Sequence, residues 1–147
     1  MSPPSPANFD PLARPYRFLE YLTFGRALER ARLHLLPRLT TCRRALILGD
    51  GDGRFTQRLL RSNPDLTATA IDGSSDMLHE LRRRCATDQH RLVTHQAHLP
   101  EVLAACIAGQ TFDLVATLFF LDCLTTAEVA LLARTLRPHL ATDAFWI

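Results

Sequence analysis

Short apolar runs alternate with helix-length amphipathic stretches along most of this chain, and that alternation narrows the fold. ALILG (45–49), LTATAI (66–71), RLVTHQA (91–97), FDLVATLFF (112–120) and AFWI (144–147) read as strands. RFTQRLL (54–60) puts Phe55 and Leu59 on one helical face and stops at Asn63 and Pro64. SSDMLHELRRRCA (74–86) is helical, with Ser74 as N-cap and Met77, Leu78, Leu81 and Cys85 facing inward. Pro100 opens a short helix that Gly109 ends. Thr125 and Glu128 form a capping box ahead of Val129, Leu132 and Leu136, and Arg137-Pro138 closes that helix. Upstream, Phe24, Leu28, Ala31 and Leu35 make a helical stripe, with Phe18 and Leu22 in an earlier turn. Strands alternating with helices predict an α/β fold: a Rossmann-like, doubly wound, mostly parallel sheet with helices on both faces. In such sheets the ligand lies beyond the carboxyl ends of the strands.

At the carboxyl end of the first run stands GDGDG (49–53), and at the end of the second stands Asp72. Gly49, Gly51 and Gly53 suit a tight strand-to-helix turn against which a ligand can press. The spacing is GxGxG, whereas a dinucleotide site uses GxGxxG, and Arg54 stands where its last glycine would be. Asp50 and Asp52 are expected to disfavour a pyrophosphate at the helix start and to tolerate a cation. Asp72 follows Gly53 by 19 residues, close to the ~20-residue offset of a ribose-binding carboxylate. The plainer reading of Asp72 is a turn residue ahead of the helix. A calcium loop is disfavoured, because the bidentate glutamate of an EF-hand is missing. S-adenosylmethionine fits these features: it carries a sulfonium, an ammonium and a ribose but no phosphate.

Other features exclude chemistry. All 17 basic residues are arginine, so phosphate-loop and Schiff-base lysines are ruled out. A formal net charge of +2 in 147 residues does not call for nucleic acid. The Arg82–Arg84 run reads as the solvated end of a helix. Cysteines at 42, 85, 106 and 123 lack CxxC spacing and read as reduced core residues of a cytoplasmic protein. His95 and His98 lack an evident third ligand, so no metal is expected. No apolar run reaches the ~18 residues of a membrane span. The proline-bearing start (1–14) reads as a flexible tail and 15–147 as one domain.

NFDPLARPY, ALILGDGDG, AIDGSSDML, FDLVATLFFLDCL and LRPHLATDAFWI together resemble the class I S-adenosylmethionine-dependent methyltransferases, of the kind acting on small molecules or quinones. The likeness runs from about residue 8 to the end. It implies methyl transfer to a small-molecule acceptor and a cofactor site drawn from Tyr16, Gly49, Asp50, Gly51, Gly53, Asp72, Gly73, Met77, His98 and Leu118. Asp72 would be the ribose acid and Met77 an adenine contact. His98 stands where the family usually has an aspartate facing the adenine amino group, and Ile47 where it often has an acid; Asp50 or Tyr16 is the substitute contact for the methionine end. His98 and Asp122 are the candidates for a catalytic base. Phe119, Phe120 and Leu121 suggest either an apolar acceptor wall or core packing. Against the family pattern the chain ends before a further helix and two strands, so the expectation is an incomplete domain with an exposed last strand, self-association through that edge and little turnover. Two other functions stay open: a non-catalytic cofactor-binding or interaction module, and an aminopropyltransferase, which would need an acidic, proline-containing segment unlike LFFLDCL.

Overall fold

A computed structural model describes residues 26–147. The expectations for the 1–14 tail, Tyr16, Phe18, Leu22 and Phe24 lie outside the described residues. The chain runs α1 (Arg26–Leu33), β1 (Arg44–Leu48), α2 (Arg54–Ser62), β2 (Thr67–Asp72), α3 (Ser75–Arg84), β3 (Leu92–Gln96), α4 (Leu103–Cys106), β4 (Phe112–Ala116), α5 (Thr126–Leu136) and β5 (Leu140–Trp146). The five strands form one sheet of order β3-β2-β1-β4-β5, and every pairing is parallel. This is the Rossmann-like doubly wound arrangement that the alternation predicts.

Period-two alternation divides the core. Ala45 and Ile47 of β1 join Phe55, Leu59 and Leu81 on one face of the sheet, the face covered by α2 and α3. Leu46 and Leu48 point the other way, to Leu103, Leu132 and Leu136 of α4 and α5. Both faces of β1 are therefore dry, as parallel strands require.

Local signals set most element ends. Ser74 accepts from the Met77 N–H at 3.2 Å and caps α3. The capping box of α5 is complete: Glu128 Oε2 accepts from the Thr125 N–H at 2.6 Å and Thr125 Oγ1 from the Glu128 N–H at 3.3 Å. Two strands differ from expectation. β4 stops at Ala116 instead of 120, because Phe119 takes a left-handed φ of 57° and the Phe120 N–H turns back to the Thr117 carbonyl at 3.1 Å. β5 begins at Leu140, before the apolar AFWI, because its early residues pair with the start of β4. Two of the four cysteines, Cys42 and Cys85, are buried as expected; Cys106 is half-buried and Cys123 exposed, on the turn after β4. Among the described residues no helix is long and apolar enough to cross a membrane.

Candidate functional site

Strand register brings the two sequence motifs together. Leu48 pairs with Ile71 and Asp72 with Gln96, so β1, β2 and β3 end level. The Gly49 N–H donates to the Ile71 carbonyl and the Ala97 N–H to the Asp72 carbonyl, both at 3.0 Å. The glycine loop thus stands directly beside Asp72. The sheet order reverses at β1, with β2 on one flank and β4 on the other, so the loop sits at the switch point.

The three loop glycines all have positive φ, from 63° to 80°. Their surroundings differ. A Cβ on Gly49 would lie 2.5 Å from Phe120 Cδ2, so this glycine exists for close packing inside the protein. Among the described residues, a Cβ on Gly51 would meet only Met77 Sδ, at 3.6 Å. Among these residues Gly51 is thus flanked loosely, by Met77 and Asp72.

Asp72 does two things at once. Its Oδ2 accepts from the Gly51 N–H at 3.2 Å and its Oδ1 from the Ser74 N–H at 2.9 Å. The turn-residue reading is thus part of its role, since it ties the loop to the start of α3. His98 is exposed, and its Nδ1 would lie 2.8 Å from a Cβ on Gly73, so it leans over the end of β2. Leu118 is half-buried against the core on the β4 side. Asp122 is exposed on the turn Leu121–Cys123. Desolvation raises the pKa of the neighbouring Cys123 thiol, and the charges of Asp122 and Asp72 add to it. Among the described residues no three His, Cys, Asp or Glu side chains converge as a metal site.

The loop aspartates also fasten the loop internally. Asp50 Oδ2 accepts from the Thr56 N–H at 2.8 Å and the Thr56 hydroxyl at 2.7 Å, capping the first turn of α2. Burial pushes its pKa up to about 6, against the Thr56 hydrogen bonds and the charge of Arg32, which lower it; Asp52 adds to the rise. Asp52 is only 5% exposed and receives Arg84 at 2.9 Å and Arg54 at 3.2 Å. The Arg82–Arg84 run is likewise not uniformly solvated: Arg84 turns in to this loop, while Arg82 reaches Thr94 and Arg83 reaches Glu80. Phe119, Phe120 and Leu121 do not make one wall. Phe120 and Leu121 pack on the core, whereas Phe119 is exposed with the Arg32 guanidinium 5.1 Å from its ring centre. Sequence reasoning missed Arg32, Thr56 and Arg84, and no local pattern marks them.

A glycine loop at the switch point, with an acidic residue ending the next strand, defines a doubly wound domain that takes a nucleoside-type ligand along its carboxyl edge. The family model described as "Methyltransferase domain" matches residues 46–145, and the chain belongs to that family. Among solved structures, the pyocyanin biosynthetic protein PhzM is similar at TM-score 0.68 and 17% identity, over 95% of this chain and 42% of its own. An O-methyltransferase family protein from Burkholderia thailandensis gives TM-score 0.62 and 14% identity, over 88% and 43%. The N-methyltransferase NodS from Bradyrhizobium japonicum WM9, in complex with S-adenosyl-L-homocysteine, gives TM-score 0.62 and 20% identity, over 78% and 57%. The chain thus spans about half the length of these structures. No curated protein matches it.

Proposed function

We propose that this domain binds S-adenosylmethionine at the carboxyl ends of β1 and β2 and directs methyl transfer to a small-molecule acceptor. The observation that carries the reading is Gly51: left-handed, in contact with only Met77 at its Cβ position among the described residues, and bonded to the carboxylate of Asp72. The fit is to a ligand with a ribose and no pyrophosphate. The glycine spacing is GxGxG, with Arg54 where a dinucleotide site has its last glycine, and Asp72 supplies the acceptors that two adjacent hydroxyls need.

In this reading Gly49, Asp50, Gly51 and Gly53 form the loop along the methionine end, and Asp72 takes the ribose hydroxyls. Gly73, Met77 and His98 border the adenine, Leu118 borders the cofactor from the β4 side, and Asp50 or Tyr16 is the contact to the methionine end. The cofactor supplies a methyl group already activated on a sulfonium. The protein therefore has to align the acceptor and exclude water, and alignment alone contributes about 7–11 kcal/mol. His98 and Asp122 are the groups that can take an acceptor proton. The domain would extend over 15–147, work in the cytoplasm without nucleic acid, and self-associate through the outer edge of β5.

Calorimetric titration tests the reading. S-adenosylmethionine and S-adenosylhomocysteine should bind and NAD should not. Tighter binding of NAD would overturn it.

A further inference from the structure

We infer that Arg84 is a positioning residue for the cofactor loop, an inference that rests on the reading above. Arg84 is the last residue of α3, yet it grips the loop by both main chain and side chain. Its Nε donates to the Asp52 carbonyl at 2.9 Å and its guanidinium to Asp52 Oδ2 at 2.9 Å. The forked guanidinium suits such two-point contact, which a lysine cannot reproduce. The backbone of Arg84 is anchored in turn, because its carbonyl accepts from Gln57 Nε2 of α2 at 2.7 Å.

Asp52 lies between two left-handed glycines. Glycines have the widest conformational freedom of any residue, so this loop has much to lose on ordering. Holding Asp52 holds both neighbours. One turn earlier on the same helix, Leu81 presses on Gly53: a Cβ there would come within 2.6 Å of Leu81 Cγ. The opposite end of α3 carries Ser74, bonded to Asp72, and Met77, beside Gly51. One rigid helix therefore sets the loop relative to Asp72, with Arg84 fastening the far end. Arg84 need not touch the cofactor to govern its affinity.

The test compares Arg84→Met, Arg84→Lys and Arg91→Met. Arg91 is a structural control: it donates to the carbonyls of Leu60, Asn63 and Leu66, closing the end of α2. S-adenosylhomocysteine affinity is read by calorimetry, stability by thermal melting, and loop order by amide hydrogen exchange at residues 51–53 of the ligand-free protein. Arg84→Met should weaken affinity about tenfold, as loss of a charge-assisted pair implies, and speed exchange at 51–53. Arg84→Lys should fall between it and wild type. Arg91→Met should lower the melting temperature and leave the affinity of the folded protein unchanged. If Arg84→Met does not fold, Arg84→Lys carries the test, with the same direction in affinity and exchange. Wild-type affinity and exchange in a folded Arg84 variant would overturn the inference. Failure of the wild type to bind would instead overturn the proposed function, and the exchange data alone would then decide whether Arg84 orders the loop.

Discussion

Phe120 packs directly onto Gly49, with its Cδ2 2.5 Å from where a Cβ on that glycine would stand. The contact closes the turn after β4 onto the turn after β1, and φ at Gly49 is 69°. Gly49→Ala should therefore cost about 2–5 kcal/mol, the sum of left-handed strain and overpacking. Urea unfolding measures it. A loss under about 1 kcal/mol would show that Phe120 moves aside freely.

Gly51 should behave differently, since among the described residues its Cβ position meets only Met77 Sδ. Gly51→Ala should cost only the left-handed term, about 1–2 kcal/mol. Gly51→Val should fold less well and lose S-adenosylhomocysteine binding, because the branched side chain occupies the ligand's space. Calorimetry on the folded variant checks this; retained affinity would mean the ligand does not cross Gly51.

Asp72→Ala removes the acceptors for the Gly51 and Ser74 N–H groups. Cofactor affinity should fall at least about tenfold, as loss of a charge-assisted hydrogen bond implies. Melting temperature should fall as well, because the loop tether goes with it. Unchanged affinity in a folded variant would leave Asp72 as a tether alone.

Asp50 should make stability depend on pH. Its pKa in the folded protein is raised to about 6 from an ordinary 3.8, chiefly by burial. A raised value means that the folded state holds the proton more tightly than the unfolded chain does. Its contribution is greatest below about pH 4, falls as pH rises to 6, and is then constant. Asp50→Asn keeps an acceptor for Thr56 and removes the titration. Relative to wild type it should gain about 2–3 kcal/mol between pH 4 and pH 7. Denaturant melts at both pH values measure the difference; a constant offset would show that Asp50 is not the group responsible.

Among the described residues β5 has β4 on one side only, and Phe145 and Trp146 are 37% and 40% exposed. Exposed apolar edges pair with other chains. Sedimentation of the 147-residue chain should depend on concentration, and Phe145→Lys should suppress that dependence. A wild-type monomer at every concentration would remove self-association from the proposal.

Local periodicity carries far in this protein. Alternating apolar runs, the caps at Ser74 and Thr125, and the stops at Asn63 and Arg137 are all signals within a few residues, so they can be read without the fold. The adjacency of GDGDG and Asp72 was legible too, because parallel strands joined by right-handed crossovers must end on the same side. Side-chain direction was not legible. Asp50 and Asp52 look alike in sequence, yet one caps α2 and the other receives an arginine 32 residues away. Arg82, Arg83 and Arg84 are three identical residues on one helical end, and only the approach of α3 to the glycine loop selects Arg84. A long, flexible side chain finds its partner from the distance between two elements, and that distance exists only once the sheet has brought them together.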